Sequence, residues 1–418
     1  MPLKIIICGS GIGGLSAAQF LRGSHQVTVL ERGALDFTVE DYGMSIVSNA
    51  FALLRKAGIK DSNLDMVVMT HVWTRTPDNE ELKTTHFDTR SRFEGGSPSA
   101  LVKRAKLQGE LMRLATDPER YGAPVEIIQN AKVTKVDIDG GKVWTEDGRL
   151  FEGDLIIGAD GIHSVVRGAM LGDQDISASI KTYDSMTFMT QLSIEDIRSD
   201  PSFAYLSNPT HQAGLVSINA NSGPDANKHI LIYHTSPHSL QVVGYTSEKE
   251  FAEKFDSAKT AIIRDVPVSR VVEEFASEFG EGVVNLFRHN QIDAWRIRDV
   301  VPMDKWYSGK VLLIGDAAHA VTPLAGQGSN MTIEDAEALS VVLERADLSK
   351  GISGALELFM ALRKERVDLV RRRSHEIGRI QTEENKGKEP ITAEEFARKI
   401  YTYKGAEAML SGVRPSIP

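Results

Sequence analysis

KIIICGSGIGGLSAAQFLRGSHQVTVLER, residues 4–32, reads as strand, glycine turn, helix and strand in direct succession. The apolar run from Lys4 to Cys8 does not alternate, as expected of a strand buried on both faces. Gly9-x-Gly11-x-x-Gly14 follows. Gly9 permits a tight turn, Gly11 lets backbone approach a pyrophosphate, and Gly14 lets the helix pack close to the strand. Glu31 closes the second strand about 20 residues after the glycines and suits a ribose diol. A glycine pattern alone is a weak signal. Here it follows a strand, opens a helix and brings its acid, so it predicts a βαβ unit that binds a dinucleotide. At this point NAD and FAD both remain open.

Working outward, helical patterns recur at residues 48–57 and 103–115, and short strands at 125–128, 131–137 and 143–144. Residues 154–159 form another buried apolar run that leads into Asp160-Gly161. Over 177–298 the pattern becomes alternating strands (186–192, 203–206, 214–220, 229–234 and 241–245) separated by Asn, Pro, Gly and Ser clusters. That predicts an antiparallel sheet inserted into the first domain. Residues 251–255 and 268–279 look helical within it. The first domain resumes near 299, and the tail is helical over 356–379 and 393–409. The basic run Arg371-Arg-Arg-Ser-His375 reads as a solvated helix face. The expected fold is α/β: a Rossmann-like nucleotide-binding domain from residues 1–176 and 299–418, the latter with C-terminal helices, around an antiparallel-sheet substrate domain at 177–298.

The chain has 418 residues and a net charge of −9, which argues against nucleic acid as a partner. Cys8 is its one cysteine, so neither a disulfide framework nor a Cys-based metal cluster is expected, and no metal site is assigned. No signal peptide and no apolar stretch of membrane-spanning length is visible, making a cytoplasmic location the default expectation.

The second decisive segment is GDAAHAVTPLAGQGSNMTIEDA, residues 315–336. The apolar run 311–314 leads into Gly315-Asp316, putting an acid at a strand's carboxyl end, where open α/β sheets bind ligands. A turn with Pro323, Gly326 and Gly328 follows, then a helix beginning near Ser329. A helix start favours negative charge. A flavin needs that combination, an acid for a ribityl hydroxyl and a helix end that steadies charge on the reduced ring, but alone the segment fits any strand–loop–helix ligand site.

Residues 154–167, DLIIGADGIHSVVR, resemble the Asp-Gly motif of group A flavoprotein monooxygenases, the aromatic hydroxylase or salicylate hydroxylase-like family, through Asp160, Gly161, Ser164 and Arg167. The 315–336 segment resembles the family's Gly-Asp motif through Gly315, Asp316, Ala317, Ala318, His319, Pro323, Gly326 and Gly328. Residues 103–111, KRAKLQGEL, resemble its Arg-x-x-Leu-x-x-x-Leu helix, and Trp306 with the following residues matches its lead into the last motif. The resemblance spans roughly residues 1–380. It implies a p-hydroxybenzoate hydroxylase-like fold and FAD-dependent monooxygenation, in which NADPH or NADH reduces the flavin. O2 then adds at the flavin C4a position, and the hydroperoxide hydroxylates or epoxidises a small to medium aromatic or unsaturated compound. Flavoprotein reductase or oxidase chemistry, or a non-catalytic ligand carrier, are the alternatives on the same fold. The implied partners are a small organic substrate, O2 and NAD(P)H, with a homodimer left open.

The resemblance also implies residue roles. Gly9, Gly11, Gly14, Glu31 and Arg104 hold the ADP half of FAD, with Arg32 and Val133 as further cofactor contacts. Asp316 binds the ribityl chain, Gly328, Ser329 and Asn330 meet the pyrimidine edge, and Gly326 and Gln327 are further cofactor contacts. Pro323 lines the oxygen-reacting face, Asp160 is shared with the nicotinamide cofactor, and His319 is structural. The chain departs from the family at Val300, where many relatives carry arginine, and at Ser45, where many carry Gln or His; neither an extra thioredoxin-like domain nor a membrane anchor is expected in its tail. Tyr205, Tyr233, His211 and His234 are the candidates for orienting or deprotonating substrate. Period two puts Tyr233 with Leu231 and His229 on one strand face and His234 with Ile232 on the other, so only one of these sets can line a pocket.

Overall fold

The structure is a computed structural model that describes residues 2–37, 41–86, 97–172, 176–201, 203–207, 214–220, 228–252, 262–382 and 385–412. Lys4–Cys8 sits near the middle of a six-stranded sheet, between Gln26–Leu30 and Leu155–Gly158. Glu126–Ile128 extends one side and Val311–Leu313 the other, all parallel, and Tyr307–Ser308 caps the far edge antiparallel. Their apolar runs are explained by burial on both faces: Ile5, Val29, Leu155, Ile156, Val311 and Leu312 are fully enclosed. The helix Ile12–Leu21 covers one face, packed between Gly328–Arg345 and Arg104–Thr116.

From Lys4–Cys8 the chain crosses to Gln26–Leu30 on one side, while later segments fill the other side. The strand order therefore reverses between Lys4–Cys8 and Leu155–Gly158. A crevice outside the strand ends at such a reversal is where open α/β sheets take ligands.

The second sheet has eight strands, in the order Ile262–Ile263, Asp293–Val300, Ile180–Ser193, Ser239–Thr246, His229–Ser236, Gly214–Asn219, His71–Arg75 and Glu81–His86. All neighbours are antiparallel except Gly214–Asn219 with His71–Arg75. The sheet is thus wider than residues 177–298 supply, because two strands come from the segment before it. One face packs on the helices Ile194–Arg198, Val268–Ala276 and Glu281–Asn285 through Phe188, Ile230, Ile232, Val242, Phe275 and Phe287. Residues 203–206, expected as a strand, instead run into the 3-10 turn Ala204–Ser207. The tail forms Ser353–Ile377, Ala393–Ile400 and Ala406–Gly412. Among the described residues no helix is long and apolar enough to cross a membrane.

Candidate active site

Three strand ends lie side by side at the crevice. Gly9 N donates to Leu30 O, Ala159 N to Cys8 O and Ile314 N to Gly158 O, at 2.8–3.0 Å. The loops that follow carry Gly9–Gly14, Asp160-Gly161 and Gly315-Asp316. Gly9 has φ +106°, and a side chain there would meet Ala159 O at 2.6 Å. A Cβ on Gly14 would lie 1.9 Å from Gly9 O, so this glycine sets the helix–strand approach. A Cβ on Gly11 would meet nothing within 4 Å and would stand in open space. Gln108, on the helix Arg104–Thr116, donates to Ser10 O at 2.8 Å and holds the turn in place.

Glu31 is partly committed. Its Oε2 accepts from Ser10 N and Oγ at 2.9 and 2.6 Å, and its Oε1 from Gly33 N at 3.0 Å, which leaves acceptor capacity on Oε1. Arg32 is exposed beside it, and the Val133 side chain packs into the core, so only its main chain could meet a ligand. Arg104 lies over the Tyr42 ring, 5.7 Å from its centroid, and Tyr42 meets Trp295 of the second sheet edge-on at 5.2 Å.

Asp160 is occupied by its own loop. Ser164 Oγ donates to Oδ1 at 2.5 Å, and Val165 N and Val166 N donate to Oδ2 at 2.8 and 3.2 Å. Burial raises its pKa, with those bonds pulling the other way. Arg167, fully buried, donates to Ser179 Oγ, Ala317 O and Ile162 O, and so ties this loop to the Gly315-Asp316 loop.

Asp316 opens the short helix Asp316–His319 after Gly315, whose φ is +56°. Its carboxylate reaches solvent, yet enough protein surrounds it that burial raises its pKa; His319, Arg104 and Arg167 act in the opposite sense. It makes no hydrogen bond among the described residues. His319 is engaged elsewhere: its Nε2 donates to Asp335 Oδ2 at 2.6 Å, and the same oxygen accepts from Gly315 N at 2.9 Å. Asp335 and Glu334 are fully buried and pair with Arg363, and Glu334 also with Arg366. Burial alone would raise both carboxyls, but the arginines, and His319 beside Asp335, hold them below their ordinary values. His319 and Asp335 are thereby a support for the acid's loop, not a free acid–base pair.

The turn beyond it is stapled from below. Asn330 Oδ1 accepts from Val47 N at 2.8 Å, and its Nδ2 donates to Ser45 O and Gly326 O at 3.1 and 3.0 Å. The Asn330 side chain is therefore used up inside the protein. Gln327 is buried, and its Oε1 accepts from Asn49 at 3.4 Å. What the helix start at Gly328, Ser329 and Asn330 offers a ligand is main-chain N–H. Gly326 has φ +62°, Ser45 Oγ donates to its carbonyl at 3.2 Å, and Pro323 is exposed on the turn. Val300, in place of the family arginine, is buried and donates through its backbone to Ala320 O at 3.0 Å.

The face of the second sheet turned toward this turn carries Met189, Leu231, Tyr233, Val243, Tyr245 and Ile297, packed with Tyr183 and with Leu324 of the turn. Tyr233 belongs to this face, but its hydroxyl donates to Gly43 O at 3.1 Å, and burial raises its pKa. His234 lies on the opposite face, buried in the second core, where desolvation lowers its pKa to about 4. It is neutral and remote from the turn, so its reading as a substrate group fails on strand alternation. Tyr205 lies in the 3-10 turn Ala204–Ser207, and His211 falls outside the described residues.

Sequence reasoning missed several supports. The run at 371–375 is not a solvated face: Arg371, Ser374 and His375 are buried. The buried stripe Leu356, Phe359, Arg363, Val367, Val370 and Ser374 was readable as helical spacing, had charged residues been admitted to it. Asp335 and Tyr245 sit at positions that only tertiary packing identifies.

A dinucleotide-type glycine turn at a sheet reversal, beside a second and mainly antiparallel sheet, defines a two-part dinucleotide-binding protein. The solved structure of Klebsiella pneumoniae HpxO complexed with FAD and uric acid has the same fold, with a TM-score of 0.73 over 98% of this chain and 95% of that one at 23% identity. Residues 3–374 match the family described as FAD binding domain, and the chain belongs to that family. It is 28% identical to hispidin-3-hydroxylase of Neonothopanus nambi, over 90% of this chain and 88% of that protein. It is 27% identical to 3-hydroxybenzoate 6-hydroxylase 1 of Aquipseudomonas alcaligenes, over 82% of each. The chain is an FAD-dependent monooxygenase of the group A kind.

Proposed function

We propose that the protein hydroxylates an aromatic, phenol-type compound with O2, using NAD(P)H as reductant. The observation that carries this reading is the placement of Asp316. It is a carboxylate with no hydrogen bond among the described residues, exposed just beyond a strand's carboxyl end beside the sheet reversal, and its loop runs on to Leu324, which packs on an apolar and aromatic sheet face. The crevice fits FAD. Gly11 leaves room for a pyrophosphate against backbone, Glu31 keeps acceptor capacity for a ribose hydroxyl, and Arg104 supplies a cation. Asp316 would accept from the ribityl chain, and the N–H groups at Gly328 to Asn330 would meet the ring's pyrimidine edge. When bound, FAD takes two electrons from the reductant and passes them to O2, so that one oxygen atom enters the substrate and the other leaves as water.

The chain's own residues then have definable tasks. Met189, Leu231, Val243, Tyr245 and Leu324 pack into one apolar cluster beside the turn, which would exclude water from a bound aromatic ring. Near the Asp-Gly loop, partly exposed Arg298 and exposed Arg32 lie close enough to His163 to help lower its pKa, after desolvation, while Arg167 is buried and engaged inside the protein. Such a cationic group supports binding of an anionic nicotinamide dinucleotide. That the relatives are named for hydroxylating hispidin and 3-hydroxybenzoate supports a phenolic substrate.

The test is a panel of mono- and dihydroxylated aromatics, with NADH and NADPH each supplied under labelled O2. A stimulated rate of reductant use and one labelled oxygen in the product are expected with at least one phenol. Reductant use that yields only peroxide across the panel, or product without label, would sink the reading.

A further inference from the structure

The helix Ser353–Ile377 reaches the flavin-side loop twice. Near its middle, Arg363 pairs with Asp335, which accepts from Gly315 N at the start of that loop. Eleven residues later Ser374, fully buried, grips the far part. Its hydroxyl donates to Thr322 O at 2.6 Å and meets Thr322 Oγ1 at 2.7 Å, and Ala325 N donates to it at 3.3 Å. One donated and two accepted bonds use a serine hydroxyl fully. The 3-10 turn Pro323–Ala325 is therefore held from behind by a single side chain.

The next residue ties the same helix to the second sheet. His375 Nε2 donates to Asp299 Oδ2 at 2.7 Å, and Tyr183 OH donates to that oxygen at 2.8 Å. Both His375 and Asp299 are buried. Tyr183 and Asp299 lie on Ile180–Ser193 and Asp293–Val300, the strands by which the chain enters and leaves the sheet domain. At the helix end, a Cβ on Gly378 would lie 2.4 Å from Leu324 Cδ1, so Leu324 rests directly on this glycine. Leu324 also packs against the sheet face of Val243, Tyr245 and Ile297. The turn is thus fixed between the helix and the substrate-side sheet, with Pro323 on its exposed side.

We propose that Ser374 and His375 are positioning residues for the reaction: they set the Thr322–Ala325 turn relative to bound flavin and to the substrate face, although neither reaches the crevice. This rests on the functional reading above. A hydroxyl lost at Ser374 frees three partners at once, two of them main-chain groups of the turn, so the turn moves and not merely the stability. His375 acts one step further away, through Asp299 and the two strands.

Ser374→Ala, Ser374→Thr, His375→Gln and Tyr183→Phe, made in the full chain, are compared with wild type by FAD titration, the visible spectrum of bound flavin and its midpoint potential. Ser374→Ala is expected to raise the FAD dissociation constant by on the order of tenfold, as for one buried hydrogen bond lost, and to alter both the spectrum and the potential. Ser374→Thr, which keeps the hydroxyl, is expected to restore both, and His375→Gln to show a smaller change in the same direction. A merely stabilising contact would lower the melting temperature but leave spectrum and potential at wild-type values, and that result overturns the inference. If Ser374→Ala does not fold, His375→Gln and Tyr183→Phe decide together: both act on Asp299, and an unshifted potential in both overturns the inference equally. A wild-type chain that takes up no FAD overturns the functional reading and this inference with it. A wild type that binds FAD beside variants that match it overturns this inference alone.

Discussion

Asp316 shows how much a single residue is asked to do before any ligand arrives. It is an ionisable group in a region where burial raises its pKa, partly opposed by His319, Arg104 and Arg167. A carboxyl whose folded pKa lies above its unfolded value destabilises the fold once it ionises. That cost is absent below the unfolded pKa of about 4 and complete above the folded one. An asparagine in its place would carry no such charge. Asp316→Asn is therefore expected to melt higher than wild type at neutral pH in the FAD-free state, with the difference vanishing on acidification. The same change removes a charged acceptor, and FAD affinity should fall about 10- to 100-fold, the range for a hydrogen bond to a charged group. Melting curves across pH on FAD-free protein, with an FAD titration of each form, check both signs. A variant less stable at neutral pH, or equal in FAD affinity, contradicts the assignment. Stability and cofactor binding pull in opposite directions here, as is common at functional sites.

Among elements, the glycine turn separates fold from function within six residues. Gly14→Ala would drive a methyl group to 1.9 Å from Gly9 O, a backbone atom that cannot step aside, so the FAD-free protein itself should be destabilised or fail to fold. Gly11 has φ −64° and an open site for a Cβ. Gly11→Ala should fold like wild type and lose FAD binding, since the methyl group stands where a pyrophosphate would approach. Circular dichroism melts and FAD titration of the pair distinguish the two roles; a Gly11→Ala protein with wild-type FAD affinity contradicts this one. These elements were legible in the sequence because each is specified locally: an apolar run, a glycine spacing and an acid at the next strand end. The strands Gly43–Ile46 and His71–Arg75 were not, because they are short and each is placed by a partner far along the chain, although His71–Arg75 also forms a local hairpin with Glu81–His86. Residues 203–206 are a short apolar run that reads as a strand yet close a turn in which Leu206 N donates to Phe203 O, so a local hydrogen bond outweighs the pattern. Tyr233 and His234 show the same limit at the site. Alternation separates them, but only the packed sheet shows which of the two faces the flavin loop.

At the scale of the whole molecule, two hydrophobic cores must hold a fixed relation if a substrate on one sheet is to meet a cofactor on the other. Gly43–Ile46 is the bridge. At one end Gly43 N donates to Gln241 Oε1 at 3.2 Å and Gly43 O accepts from Tyr233, both on the eight-stranded sheet. At the other end Ser45 O and Val47 N meet Asn330, which also binds Gly326 of the flavin loop. The contact is close enough to exclude a side chain: a Cβ on Gly43 would lie 2.2 Å from Thr235 Cγ2 and 2.7 Å from Tyr233 Cε2. Thr235 is fully buried and branched at Cβ, so it has little freedom to yield. Gly43→Ala should therefore lift this strand from the sheet, at a cost of about 1–3 kcal/mol in unfolding free energy, as for other overpacked sites. The consequence should reach the chemistry: the strand's other end carries the flavin turn, so product formed per reductant consumed should fall while peroxide rises. Adding Thr235→Ser removes the nearest methyl group and should recover part of both stability and coupling. If Gly43→Ala loses stability but keeps wild-type coupling, the strand is only a filler between the cores. If the double variant recovers both together, the relation between the two sheets passes through this one close contact.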